Sequence, residues 1–281
     1  MRLLVTGARG MLGSELCDIL SANHQVVGID IQEIDLTKGD APQAVAGYLP
    51  EMVLHCAAMT DVDGCERDPA AARAVNGEGT RHVAMACREL GAPLLYISTD
   101  FVFDGAKGQP YCEWDSPNPL GHYGRSKLEG EQHVRELLKE FYIVRTSWLY
   151  GSKGRNFVRT VLAKAREAGT VRVVSDQVGS PTYARDLARA ISQLISSGKY
   201  GTYHLTNSGI CSWFDLARKA VELAGIPAAV MPITSGEYPT PTRRPAYSVL
   251  RNFCWERNFG SLLRPWEEGL ADYLAEEGST N

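Results

Sequence analysis

Leu3-Leu4-Val5-Thr6-Gly7-Ala8-Arg9-Gly10-Met11-Leu12-Gly13 stands almost at the start of the chain and decides its fold. Three apolar residues make a short strand, and Gly7, Gly10 and Gly13 then space a G-x-x-G-x-x-G turn. Leu12, Leu16, Ile19 and Leu20 follow at helical spacing, so the turn joins a strand to a helix. A tight turn at a helix N-terminus lets a pyrophosphate approach the backbone, where side chains would obstruct it. Asp30 closes the next apolar run, Gln25 to Ile29, 17 residues after Gly13. Three glycines alone are a weak signal; strand, turn, helix and carboxylate together are a strong one for a bound dinucleotide.

The expected cofactor is therefore NADPH or NADH. Asp30 is placed to accept hydrogen bonds from the adenosine ribose, which favours NADH. Arg9 lies inside the glycine turn and is placed to meet a 2′-phosphate, which favours NADPH. The two signals conflict, and dual use stays open. Gly7, Arg9, Gly10, Met11, Leu12, Gly13 and Asp30 are the first expected contacts. Asp35 and Leu36 are expected to border the adenine, although Asp35 capping a turn explains it as well. Ala57 and Ala58 supply small side chains where the cofactor passes close, and a tightly packed loop accounts for them nearly as well.

Strands and helices keep alternating. Met52 to His55 reads as a strand, Ala70 to Leu90 as one long helix, and Leu94 to Ile97 as a strand. Tyr123 to Lys139 reads as a helix and Tyr142 to Arg145 as a fifth strand. This order predicts an α/β fold, a doubly wound parallel sheet of the Rossmann type covered on both faces. After Trp148 the alternation loosens. Helices are expected over 156–168, 183–196 and 213–223, with strands over 171–174 and 202–205. Residues 1–148 are expected to form the dinucleotide-binding domain, with 182–207 returning to it. The rest of 149–281 is expected to form a smaller substrate-binding lobe.

At 281 residues the chain can bury a full core, and 44% hydrophobic with 22% charged residues is an ordinary soluble composition. A net charge of −4 argues against a general nucleic-acid binder. The seven cysteines include no C-x-x-C pair, and Cys17, Cys56 and Cys87 read as plain core residues. The six histidines show no zinc-binding spacing, so no metal is expected. The first strand begins at once, which leaves no room for a signal peptide. No apolar run approaches the ~20 residues of a membrane helix. The protein is expected to be cytoplasmic and reduced.

Tyr123 and Lys127 sit four apart and project from one face of their helix. A phenol titrates near ~10, and an adjacent ammonium is expected to favour its phenolate and make Tyr123 a usable general acid. Y-x-x-x-K is common by chance, so the context carries the weight. Ser98-Thr99-Asp100 ends the fourth strand at the sheet edge where open α/β folds bind ligands. Thr99 there is expected to donate to a substrate carbonyl.

Longer segments occur in a fixed order. They are Ser98-Thr99-Asp100-Phe101-Val102-Phe103-Asp104-Gly105, then Pro119-Leu120 with Tyr123-Gly124-Arg125-Ser126-Lys127, then Arg145-Thr146-Ser147-Trp148-Leu149-Tyr150-Gly151. Asn156-Phe157-Val158, Asp176-Gln177-Val178-Gly179-Ser180-Pro181-Thr182, and Arg244-Pro245-Ala246 with Ser248-Val249-Leu250 come after them. With the glycine turn, this set resembles the extended short-chain dehydrogenase/reductase superfamily. Within it, the set is most similar to the dTDP-4-dehydrorhamnose reductase family, over most of the chain.

The resemblance implies an NAD(P)H-dependent oxidoreductase that reduces the 4-keto group of dTDP-6-deoxy-L-lyxo-4-hexulose to give dTDP-L-rhamnose. It implies Tyr123 as general acid, Lys127 holding the nicotinamide ribose, and Thr99 polarising the carbonyl. Asp100 and Trp148 would position the deoxysugar, with Thr60 and Val62 nearby; a buried structural aromatic is the other reading of Trp148. Asn156 would contact the diphosphate or cap its helix. Arg243 and Arg244 would meet a phosphate or form a solvated pair.

Phe101 departs from the family's usual tyrosine and also excludes the second carboxylate of related 4,6-dehydratases, so reduction is favoured over dehydration. Some relatives bridge a homodimer through metal-bound glutamates. Glu15 matches one such position, but Arg185 stands at the other, so no metal is carried over. Two alternatives stay open: another sugar-nucleotide reductase or epimerase, and a non-catalytic regulatory subunit resembling the methionine adenosyltransferase β subunit.

Overall fold

The computed structural model describes residues 1–261 and 263–279. Six parallel strands form the central sheet. The first five in sequence are β1 (Arg2–Thr6), β2 (Gln25–Ile29), β3 (Met52–His55), β4 (Leu94–Thr99) and β5 (Phe141–Thr146). The strand Gly201–His204 joins beyond β5, giving the order (Gly201–His204)-β5-β4-β3-β1-β2. The chain moves from β1 outward to β2 and then crosses back to β3. The strand order thus reverses between β1 and β3, where open parallel sheets form their ligand crevice.

β1, β3, β4 and β5 bury both faces, as a sheet covered on two sides requires, whereas the edge strand β2 leaves Gln25 and Gly28 exposed. Leu3 and Val5 pack with Leu16 of the helix Met11–Leu20 and with Leu187 and Ile191 of the helix Ala184–Ile195. Leu4 points the opposite way, onto Val83 and Ala84 of the helix Gly79–Leu90 and Val134 of the helix His122–Leu137. A third apolar cluster joins Tyr150, Val158, Leu216, Trp266 and Tyr273, all after β5. Its framework is the helices Phe157–Ala168, Trp213–Leu223 and Trp266–Ser279 with a parallel pair, Thr170–Val174 and Ala229–Ile233.

The expected helix over residues 70–90 differs in detail. Pro69–Ala72 is α-helical, Arg73–Glu78 forms a π-helical turn, and Gly79–Leu90 resumes the α-helix. All seven cysteines are free; Cys87 is buried, while Cys17 and Cys56 are only partly covered. Among the described residues, no helix is long and apolar enough to cross a membrane.

Candidate active site

One cleft of about 680 Å³ runs along the carboxyl ends of the strands. Its lining gathers Gly7, Gly10, Met11, Leu12, Gly13, Asp30, Asp35, Leu36, Ala57 and Ala58 at one end. Thr60, Val62, Thr99, Asp100, Phe101, Tyr123, Lys127, Trp148, Asn156 and Arg244 line the remainder. Of the residues expected from the sequence to contact a ligand, Arg9 and Arg243 are missing from that lining.

The glycine turn is shaped for a close backbone approach. Gly7 has φ +66°, and a Cβ on Gly13 would stand 2.1 Å from the Gly7 carbonyl oxygen. A Cβ on Gly10 meets only that carbonyl, at 3.1 Å, and otherwise enters open space. Gly10 is also the N-cap of the helix Met11–Leu20, with no side chain capping its free amides. Those amides suit an anionic group. Asp30, at the end of β2, accepts from the backbone N–H groups of Arg9 (3.1 Å) and Ile31 (2.9 Å). These features fit a dinucleotide: a pyrophosphate at the turn and a ribose diol at Asp30.

Two expected contacts have other work. Arg9 turns away from the cleft and donates to both carboxylate oxygens of Glu33, at 2.7 and 2.6 Å. Asp35 caps a turn, accepting from the Thr37 backbone N–H at 3.0 Å and its hydroxyl at 2.7 Å.

At the far end, Thr99 leaves β4 and lines the cleft with Tyr123, its hydroxyl donating to Asp100 Oδ1 at 3.1 Å and accepting from the Phe101 N–H at 3.2 Å. The Phe101 ring meets Tyr123 edge-on, with centroids 5.6 Å apart. Lys127, 3% exposed, sets its Nζ 4.2 Å from the centre of the Tyr96 ring, and it makes no ion pair among the described residues. The Tyr96 hydroxyl donates to the Lys127 carbonyl at 3.2 Å, tying the ring to the turn that bears the amine.

The sequence-based expectation for the Tyr123 proton is corrected here. Burial pushes the phenol above its ordinary range, and it pushes the Lys127 amine down to about 7. Proximity of the amine to the phenol is legible from spacing, but withdrawal from water disfavours both charged forms and dominates. A raised phenol remains a proton donor at neutral pH. Asp100 is also raised by burial, to about 6, despite hydrogen bonds from neighbouring groups. Its Oδ1 accepts from Thr99 at 3.1 Å, while its Oδ2 is buried without a hydrogen-bond partner.

Trp148 stacks on Trp213 with centroids 3.5 Å apart and planes 7° apart. Its backbone sits at φ +48°, sparsely populated for a side-chain-bearing residue and a strain the surroundings must hold. Asn156 spends its side chain locally: Oδ1 accepts from the Arg159 N–H at 2.8 Å, and Nδ2 donates to the Gly151 carbonyl at 2.9 Å. It is the helix cap, bordering the cleft without a spare donor. Arg244 donates to Asp63 at 3.2 Å and keeps its buried Nε unpaired. Glu15 is paired with Arg185 at 3.0 Å.

Sequence reasoning missed the supports behind these groups. Asn76, in the π-helical turn, accepts from the Met59 N–H (2.8 Å) and donates to the Met59 carbonyl and the Ser126 hydroxyl (3.0 Å each). Ser126 passes the contact on by donating to the Tyr123 carbonyl at 2.9 Å. Glu131, one turn beyond Lys127, accepts from Ser98 and twice from Arg145, all at 2.7 Å and fully buried. Tyr96 and Trp213 complete the set. Only the periodicity of Tyr123, Lys127 and Glu131 on one helix face could have pointed to Glu131.

The family model for the RmlD substrate binding domain matches residues 1–279. The chain belongs to that family. A dTDP-4-dehydrorhamnose reductase of Streptomyces griseus is 44% identical, over 96% of this chain and 92% of the relative. A dTDP-4-keto-6-deoxy-D-glucose reductase of Streptomyces niveus is 40% identical, over 96% of this chain and 95% of the relative. The crystal structure of dTDP-4-dehydrorhamnose reductase from Bacillus anthracis, in complex with NADP, superposes with a TM-score of 0.95. It is 40% identical, covering 98% of this chain and 99% of that one. RmlD-family membership therefore extends over both the glycine turn and the lobe that carries Trp213.

Proposed function

We propose that this RmlD-family chain reduces the 4-keto group of dTDP-6-deoxy-L-lyxo-4-hexulose to yield dTDP-L-rhamnose, with a nicotinamide dinucleotide as reductant. The observation that carries the reading is the meeting of Thr99, Tyr123 and Lys127 in the same cleft as the glycine turn. Phe101 beside Tyr123 supports reduction over water elimination, because the position holds no carboxylate.

The nicotinamide, when bound, supplies the hydride to carbon 4. Thr99, redirecting the proton it otherwise gives to Asp100, donates to the carbonyl oxygen beside the Tyr123 hydroxyl. Tyr123 gives its proton to that oxygen as negative charge develops, which a half-buried, protonated phenol is suited to do. Lys127, as an ammonium, stabilises the phenolate left behind and holds the ribose hydroxyls. Asp100 offers its free Oδ2 to a sugar hydroxyl, and the Trp148–Trp213 pair gives the deoxysugar a flat apolar wall. The buried Nε of Arg244 is the cation suited to the diphosphate. Residues 1–148 with 182–207 serve the dinucleotide, and most of 149–281 serves the sugar nucleotide.

The competing sugar is the epimeric 4-keto-6-deoxyglucose nucleotide, favoured by the name of the Streptomyces niveus relative. The test is to supply each dTDP-linked 4-keto sugar with NADH or NADPH and follow loss of nicotinamide absorbance, then identify the product. Turnover with the L-lyxo substrate to dTDP-L-rhamnose is expected. Turnover with only the other sugar would assign the rival reductase. Coenzyme binding with no turnover of either sugar would favour a regulatory subunit.

A further inference from the structure

The loop after β2 and the glycine turn are tied into one ring of charge. Arg9 donates to both oxygens of Glu33, and its Nη1 also donates to the Gln32 side chain at 3.0 Å. Glu33 Oε2 accepts from the Asp30 backbone N–H at 2.8 Å, and Asp30 Oδ2 accepts from the Arg9 backbone N–H at 3.1 Å. Each end of the Arg9–Glu33 pair is thus fixed by the same short stretch that would meet the adenosine ribose.

A ribose diol and a 2′-phosphate see this ring differently. The diol has hydrogens to donate, and Asp30 has lone pairs left to accept them. The phosphate is a dianion facing two carboxylates, Asp30 and Glu33. The Arg9 cation is already engaged by a fork of two hydrogen bonds, the geometry in which a guanidinium binds a carboxylate best. To serve a 2′-phosphate, Arg9 must leave Glu33, and the Glu33 charge then stays behind unneutralised.

We propose that Glu33 selects the coenzyme: by holding Arg9 in its forked ion pair, it makes this chain prefer NADH to NADPH. The inference rests on the dinucleotide half of the proposed function and is indifferent to which sugar is reduced. Arg9 is 56% exposed and Glu33 32%, so solvent weakens the pair and the selection is a preference that NADPH can overcome. The charge on Glu33 is present throughout the working range, since the Arg9 and Asp30 donors hold its carboxyl down to about 2.

The test is a fluorescence titration of the full chain with NADH and with NADPH, without sugar. The wild type is expected to bind NADH the more tightly, and Glu33→Gln to move the ratio of the two dissociation constants about tenfold toward NADPH. Adding Arg9→Ala to Glu33→Gln is expected to abolish that gain, because the released guanidinium is what the phosphate would use. A wild-type preference for NADPH, or a ratio unmoved by Glu33→Gln, overturns the proposal while leaving the reductase reading intact. Failure of the wild type to bind either coenzyme would sink both.

Discussion

The two ends of the cleft are built from opposite materials. Beneath the catalytic helix lie charges and amides with almost no contact with water: Glu131 and Arg145 are 0% and 1% exposed, and Asn76 is 0%. At the adenosine end the same kinds of group, Arg9 and Glu33, stand largely in solvent. A buried polar network holds one arrangement, because every broken contact leaves a desolvated group behind. An exposed pair breaks at little cost, so it can bias a choice without fixing it. Position needed for proton transfer is thus held by the interior, and discrimination between coenzymes is left to the surface.

The sharpest way to break this contrast is Arg145→Leu. It leaves the buried Glu131 carboxylate with only the half-exposed Arg135, at 3.0 Å, and Ser98 as partners, and loss of one partner of a buried ion pair costs about 3–5 kcal/mol. A large drop in melting temperature is expected, whereas Glu33→Gln at the other end is expected to leave it within error. Equal effects at both ends would erase the distinction.

A smaller effect concerns the Lys127 proton. With its amine pushed down to about 7, the ammonium is present below that pH and lost above it, so kcat/KM for reduction should fall on the alkaline side. The Tyr96 face favours the charged form. Tyr96→Leu is expected to move the midpoint of that fall lower by about one pH unit, and Tyr96→Phe, which keeps the ring, to restore it. Identical profiles for both variants would remove Tyr96 from the account.

Much of the dinucleotide half was legible because each of its signals is local. Apolar runs of strand length, the glycine turn and Asp30 all act within a short window, and Trp213 to Leu223 was readable from its period alone. The second lobe was harder. Pro232 sits inside the strand Ala229–Ile233, and Pro there disguises the run, since it is tolerated at a sheet edge. The helix Trp266–Ser279 carries several acidic residues and a weak apolar stripe, and it was not foreseen.

The π-helical turn at Arg73–Glu78 has no period of its own; it shows only once Asn76 is seen gripping Met59 and Ser126. Arg9 was read toward a phosphate because its partner, Glu33, lies 24 residues away across a tertiary contact. For Tyr123 and Lys127, spacing disclosed that they share a helix face but not that Lys127 is buried and Tyr123 half-buried. That burial reversed the expected direction of the phenol.

The central claim, that Tyr123 donates the proton in a keto-sugar reduction, is tested most directly by comparing wild type with Tyr123→Phe on the dTDP-linked 4-keto substrate. The expected result is a fall in kcat on the order of 10²–10⁴ with NADH still bound in the cleft. A variant that turns over within about twofold of wild type, far less than loss of a general acid allows, would contradict it.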